Sequence, residues 1–348
     1  MKLDTKGVPV LKRVDLENHF ASEAWVDALR KNPGYPRLAE DKETGYVLHF
    51  SSTVRLPYRL LDKMLDLGQG RIALLDKAGI DMAVLSLGAP GCESFEPALG
   101  TEVARKTNDA LAEAISRDGN RLQGFAALAP KDPEAAVKEL ERAVKELGLK
   151  GWNTYSNFGD SFLDEKRYWP VLGQAEELGV PIYLHPTFSV IPQFQTYGTG
   201  LAGPSFGFGA ETALVMMRLI TAGVFDMFPK LKIILGHYGE GLPFMLDRVD
   251  RPYVQGHVRK DPSVAPPLER MPSDYLLDNM LASTSGNYSP AAVVCTKMTL
   301  GTERMVIGTD HPFENMEVCM EFLEKQPMTE PERENLYWRT AASIGIGV

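Results

Sequence analysis

Short apolar runs rich in Val, Ile and Leu alternate along this chain with longer helix-patterned stretches, and that alternation constrains the fold more than any other feature. Strand-like runs fall at 12–17, 81–88, 122–128, 151–156, 181–186, 231–237, 277–284 and 305–310. Helix-like stretches fall at 70–79, 99–118, 132–147, 166–179, 209–223, 240–255, 289–299 and 314–325, with a closing one at 329–343. Strands separated by helical segments read as βα units of a parallel sheet. Eight such units predict a (β/α)8 TIM barrel formed by one domain over 1–348, the length of the chain.

Local punctuation agrees with this pattern. Asp132, Pro133 and Glu134 supply an N-cap residue, an N1 proline and an acidic first turn, and Gly148 stands where a helix should stop. Val137, Leu140, Val144 and Leu147 recur at three and four residues, which predicts one packed face and one solvated, charged face. Three stretches exceed a minimal barrel: 34–69, 187–208 and 256–273. The first two follow strand C-terminal ends, where barrel active sites are built, so they predict a lid or a subunit contact.

Composition narrows the partners. The 37 Lys and Arg against 46 Asp and Glu give a net charge of −9 without any basic stripe, which argues against nucleic acid and anionic membranes. No apolar stretch is long enough to span a bilayer and the N-terminal segment has no signal-peptide core, so the expected location is cytoplasmic. Cys92, Cys295 and Cys319 form no CxxC pair and are expected to be buried thiols.

Four of the six histidines fall at or just beyond strand ends: His19, His185, His237 and His311. Glu17 and His19 are two apart, so on a strand both side chains aim at one face and can reach one ion. His185 adds a nitrogen, and Asp310, at the end of the eighth strand beside the first, adds an oxygen. Carboxylate and imidazole ligands suit zinc or manganese, with magnesium as a further choice. The ordinary alternative for Glu17 and His19 alone is a buried ion pair.

His237 and Glu240 form a second constellation, an acid/base dyad if the carboxylate orients the imidazole. Glu240 could equally serve as a first-turn helix carboxylate. Arg248 is placed to meet Glu240 or a substrate carboxylate, or to lie on the surface. Phe206, Phe208, Phe313, Tyr155 and Tyr197 are candidates to wall a flat apolar pocket, and Arg55 and Arg59 could meet an anion. His311 flanks the ligand set, while His49 and His257 lie in insertions with no expected role at the site.

These motifs resemble the amidohydrolase superfamily, and within it the metal-dependent nonoxidative aromatic acid decarboxylases. The resemblance spans nearly the whole chain: LENHF at 16–20, AGIDMAVLSLGAPG at 78–91, PIYLHP at 181–186, FGFGAETAL at 206–214, GVFDMFPKLKIILGHYGEGLPF at 223–244 and GTDHPFE at 308–314. It implies metal ligation by Glu17, His185 and Asp310, with His19 a ligand in some members. It further implies acid/base or orienting roles for His237 and Glu240, and Arg248 near the site, in its own or a neighbouring subunit. Glu-x-His on the first strand, where hydrolases of the superfamily usually carry His-x-His, points to the decarboxylases. The segment GWNTYSN at 151–157 departs from many relatives, so contacts there are not carried over.

The implied reaction is loss of CO2 from a hydroxylated aromatic acid, with one divalent metal and no organic cofactor. Asp310 or protonated His237 would deliver the proton, Phe313 would touch the ring, and the chain would assemble as a homodimer or homotetramer. The rival is a metal-dependent hydrolase of an ester, lactone or amide, or a hydratase acting on an aromatic-degradation product.

Overall fold

The computed structural model describes residues 11–258 and 263–348. Among these, eleven strands occur in chain order: β1 (Val14–Phe20), β2 (Arg37–Asp41), β3 (Gly45–His49), β4 (Arg55–Pro57), β5 (Met82–Leu87), β6 (Leu122–Gly124), β7 (Trp152–Tyr155), β8 (Ile182–His185), β9 (Ile233–Leu235), β10 (Met280–Ser283) and β11 (Met305–Val306). Eight of them are parallel and match the eight predicted runs. They form a three-stranded sheet, β1-β5-β6, and a five-stranded sheet, β11-β10-β9-β8-β7. Isolated parallel bridges join the sheets along both edges: Asp15 with Ile307 and Asn18 with His311 on one, Ala126 with Trp152 on the other.

The side chains of these strands alternate between two packings, as a period of two requires. Val14, Leu16, Met82, Val84, Tyr183, Ile234, Leu281 and Val306 meet in one interior cluster that also takes Phe125 and, from the C-terminal segment, Ala341 and Ile346. Their neighbours Ala83, Leu85, Ile182, Leu184, Ile233, Leu235, Met280, Ala282, Met305 and Ile307 pack into the larger core with the helices. Strands buried on both faces are those of a parallel sheet covered by helices.

Most helices fall where periodicity places them. Helix Pro133–Lys145 is capped by the Asp132 side chain, which accepts from Ala135 N at 3.1 Å, and Gly148 takes a positive φ of 73° just beyond it. Its packed face is centred on Ala136, Leu140 and Ala143, with Val137, Val144 and Leu147 half-buried at its margin. One charge does not face solvent as expected. Glu139 is buried and binds Arg105 and Arg142 at 2.9 Å and Asn108 at 2.8 Å.

Several boundaries differ from expectation for physical reasons. β1 continues through His19 to Phe20, because it pairs with β5 as far as Phe20–Leu87. Residues 277–279 end a helix, Pro272–Asn279, and β10 starts only at Met280. The 240–255 stretch is a 3₁₀ turn at Leu242–Met245 followed by a helix at Leu246–Val254, so Glu240 precedes both. A further helix, Glu23–Lys31, capped by Ser22, was not anticipated.

The 34–69 insertion is a three-stranded antiparallel sheet, β2-β3-β4, followed by a short helix at Leu61–Leu65. The 187–208 insertion carries the short helices Pro192–Gln195 and Thr199–Ala202. Of the 256–273 insertion, residues 259–262 lie outside the described residues. Cys92 and Cys319 are buried thiols, whereas Cys295 is half-buried. Among the described residues no helix is long and apolar enough to cross a membrane.

Candidate metal centre

A bulge between Asp15 and Asn18 shifts the alternation of β1. Val14 and Leu16 face the interior cluster in ordinary alternation, and at the irregularity Glu17 also reaches Tyr183 of that cluster. Asp15 fixes this bulge. Its buried carboxylate accepts from Glu17 N at 3.1 Å, Asn18 Nδ2 at 2.9 Å, Thr309 N at 3.0 Å and Thr309 Oγ1 at 2.6 Å. One carboxylate thus locks the Glu17 segment to the Asp310 segment, and Asp310 N donates to Glu17 O at 2.9 Å. Buried Arg71 completes the support by donating to Asn18 Oδ1 and to the carbonyls of Asp66 and Lys63.

Glu17, His19, His185 and Asp310 each offer one ligand atom, and these four atoms lie within 4.8 Å of one another. His19 Nε2 is 3.1 Å from Asp310 Oδ1, and His185 Nε2 is 3.4 Å from Glu17 Oε1. None of these contacts is aligned as a hydrogen bond, and all four atoms are buried without a hydrogen-bond partner. Buried polar atoms are rarely left so. Four together, two carboxylate oxygens and two imidazole nitrogens, fit a divalent cation of the zinc or manganese type.

The far side of three of these four side chains is already engaged. Glu17 Oε2 accepts from Tyr183 Oη and from Ser283 Oγ at 2.7 Å. His185 Nδ1 donates to Pro186 O at 2.7 Å, which leaves its Nε2 lone pair facing the cluster. His19 Nδ1 meets Ser86 Oγ at 3.2 Å. Such outer contacts fix tautomer and orientation before an ion arrives. Gly308 makes room for the carboxylate: a Cβ there would stand 2.0 Å from Ser283 Oγ and 2.7 Å from Glu17 Oε2.

Electrostatics follow from this crowding. Burial opposes ionisation of Glu17, but the histidines at 185, 237 and 19 hold its carboxyl well below the usual range. Burial and the Glu17 charge push Asp310 up to about 7. Burial lowers His19 to about 4 and His311 to about 3. His237 goes the other way. Burial alone would lower it, yet Glu240, 2.6 Å from Nδ1, together with Glu17 and Asp310, raises it to about 10.

A cavity of about 1010 Å³ opens above the cluster, with His185, Asp310, His237 and Glu240 on its floor and walls. Phe206, Phe208 and Phe313 line it as expected, and the Phe313 ring lies 5.7 Å from that of His19. Both insertions contribute walls, through Phe50, Leu56 and Tyr58 and through Phe188. Among the described residues no Lys or Arg lines it. Arg55 and Arg59 are exposed, and so is Arg248, on helix Leu246–Val254 outside the cavity of its own chain. Tyr197 is exposed, and Tyr155 is buried behind the wall, its ring 5.7 Å from His185. Ser156 and Asn157, in the segment that departs from relatives, donate to the buried carboxylate of Glu211.

Sequence reasoning missed Tyr183 and Ser283. Tyr183 was legible by the same rule that paired Glu17 with His19, being two residues before His185 on one strand. Phe50 and Phe188 carried no such signal, because their 4.4 Å contact joins two insertions far apart in the chain.

Residues 66–344 match the amidohydrolase family. This chain belongs to that family. Within it, the amidohydrolase falls in the branch of nonoxidative aromatic acid decarboxylases. It is 34% identical over 341 residues to gamma-resorcylate decarboxylase of Polaromonas sp. strain JS666, covering 95% of this chain and 98% of the relative. Its fold is similar to the crystal structure of 5-carboxyvanillate decarboxylase from Sphingomonas paucimobilis, with a TM-score of 0.85, 31% identity, and 96% and 99% of the two chains covered. Dihydroxybenzoic acid decarboxylase from Polaromonas sp. JS666, solved with manganese and the inhibitor 2-nitroresorcinol, matches with a TM-score of 0.81 and 33% identity over 96% of this amidohydrolase and 97% of that chain.

Proposed function

We propose that this amidohydrolase is a divalent-metal-dependent, nonoxidative decarboxylase of a hydroxylated aromatic carboxylic acid. The observation that carries the reading is the set of four unpaired, buried ligand atoms of Glu17, His19, His185 and Asp310 at the floor of a cavity that no Lys or Arg lines among the described residues. Within its own chain, an anionic acid entering this cavity finds positive charge at the ion and at His237 among the described residues. The manganese and the resorcinol-type inhibitor in the Polaromonas relative support the same chemistry.

A divalent ion held by Glu17, His19, His185 and Asp310 would supply orientation and charge stabilisation for the bound acid. His237, kept cationic by Glu240, binds and orients the anion. Asp310, which lines the cavity floor, delivers a proton to the ring carbon that bears the carboxylate. The carbon–carbon bond then breaks, its electron pair returns to the ring, CO2 leaves and aromaticity is restored. Protonation at carbon first avoids an aryl carbanion. Phe313 and the other aromatic walls keep the ring dry, which strengthens each electrostatic contact. No step calls for an organic cofactor.

The reading extends to architecture. The two parallel sheets are one closed (β/α)8 barrel, supported by the bridges at both edges and by the interior cluster that takes a residue from strand after strand. Arg248 serves the site of a neighbouring subunit in a homodimer or homotetramer. Its exposure, and that of Phe244 in the turn whose Leu242 and Met245 line the cavity, supports that assignment. A cytoplasmic location goes with this reading.

The deciding experiment incubates manganese-loaded protein with a panel of hydroxybenzoates in ¹⁸O-labelled water. CO2 release without label in the aromatic product is expected. Label in the product with no CO2 would make the protein a hydrolase instead.

A further inference from the structure

The cavity is larger than a hydroxybenzoate requires. Cavities of roughly 300 to 1,000 Å³ hold drug-sized ligands, and this one, at about 1010 Å³, reaches the top of that range. Its excess volume has a direction. Helix Gly207–Thr221 presents Ala210, Ala213, Leu214 and Met217 to the cavity, at the three- and four-residue spacing of a single helical face. From Ala210 to Met217 that face runs about 10 Å, at roughly 1.5 Å per residue. Ala210 and Ala213 leave space where larger side chains would fill it, and Met245, from the 3₁₀ turn, lines the same cavity. Phe188 and Phe208, whose rings are 5.0 Å apart, contribute aromatic wall.

Charge decides what can occupy this extension. Among the described residues no Lys or Arg of the chain itself lines the cavity, and Glu240 and Glu314 do, so a second anionic substituent along the Ala210–Met217 face would find apolar side chains and no cationic partner from its own chain. We infer that the aromatic acid taken by this enzyme carries an apolar substituent of several carbons, seated along the Ala210–Met217 face of the helix. The inference rests on the decarboxylase reading for the acid itself, and adds the substituent.

The test uses the manganese-loaded full chain and two homologous series. The first is 2,6-dihydroxybenzoate, unsubstituted and with 4-alkyl or 3-alkyl chains from methyl to heptyl, assayed for CO2 release. The second is the matching alkylresorcinols, whose binding is measured by calorimetry without turnover. Affinity and kcat/KM are expected to rise on the order of threefold per methylene over the first few carbons. Ala213→Trp should cut the ratio of pentyl to unsubstituted affinity by on the order of tenfold, by filling the extension. If CO2 is released but neither series gains with chain length, the inference fails and the decarboxylase reading stands. If no acid yields CO2 while resorcinol affinity climbs with chain length, the reaction is wrong and the apolar extension stands. A wall covered in solution by a second copy of the chain would leave the affinities flat, which also overturns the inference.

Discussion

Glu240 Oε1 lies 2.6 Å from His237 Nδ1 across a turn in which five successive residues have positive φ. His237, Tyr238 and Glu240 take this left-handed conformation at 53°, 61° and 55°, flanked by Gly239 and Gly241. For side chains other than glycine this costs on the order of 1 kcal/mol each, so the surroundings must hold it. Tyr238 N donates to Ser283 O at 2.8 Å, His237 N to Ser285 Oγ at 3.2 Å, and the Tyr238 ring is buried. The strain brings a carboxylate three residues away onto the imidazole, within reach of the metal centre.

Glu240→Gln should therefore release His237. In the metal-free protein the imidazole pKa is expected to fall from about 10 toward its ordinary 6.5, read by NMR titration. A raised histidine pKa adds stability fully below about 6.5, and that stability is lost as pH climbs through about 10. The variant should lose it at lower pH. Turnover should drop roughly 100-fold, as for a displaced acid/base or orienting group. An unchanged titration would show that Glu240 does not hold the proton.

Asp310→Asn separates folding from proton delivery. Asp310 sits at φ 56°, a conformation asparagine also tolerates, and its backbone N–H to Glu17 O is untouched by the change. Circular dichroism should match the parent, while kcat should fall by on the order of 1,000-fold or more, since a carboxamide N–H is far too weak an acid to protonate carbon. Near-parental turnover would remove Asp310 from the mechanism.

Gly308→Ala tests the space around Glu17. The added Cβ would press on Ser283 Oγ and on the Glu17 carboxylate, atoms held in the buried interior and unable to move far. Manganese affinity should weaken by roughly 10- to 100-fold, as when a contact orienting a ligand is lost. Calorimetric titration with the metal alone reads this directly, and parental affinity would mean that the segment yields.

Metal removal has a stability signature of its own. Chelation returns four buried ligand atoms to their unpaired state. Adding manganese at about 100 times its Kd should stabilise the folded chain by about 2.7 kcal/mol, a rise of roughly 4 °C in the unfolding midpoint for a chain this long. Glu17→Gln should lose most of that rise. An equal rise in parent and variant would place the ion elsewhere.

The same properties decided what could be read in advance. Glu17, His19, His185 and Asp310 were legible because strand periodicity pairs Glu17 with His19 on β1, and because His185 ends β8 and Asp310 follows β11. Asp15 was not, since its role depends on a bulge that no alternation reveals and on Thr309 across the seam. The antiparallel sheet at 37–57 was hidden by its exposed and half-buried positions, which leave little apolar pattern. Glu240 looked like a first-turn helix residue because its left-handed backbone is imposed by Ser283, Ser285 and a buried Tyr238 rather than by local propensity.

Glu93, just beyond β5, shows how a carboxyl outside the metal centre governs stability. It is only 2% exposed, with Thr154 Oγ1 donating to it at 3.1 Å, and burial raises it to about 8. The unfolded chain releases this proton near 4.5, the folded chain only near 8. Between those values the folded state binds more protons, so stability falls as pH rises, and above about 8 the full penalty applies. Glu93→Gln removes the charge but keeps an acceptor for Thr154. Its advantage over the parent should be near zero at pH 4 and should grow to as much as roughly 5 kcal/mol at pH 9. Denaturant unfolding of both proteins at the two pH values measures the difference, and an advantage independent of pH would assign the effect to packing rather than to the buried charge.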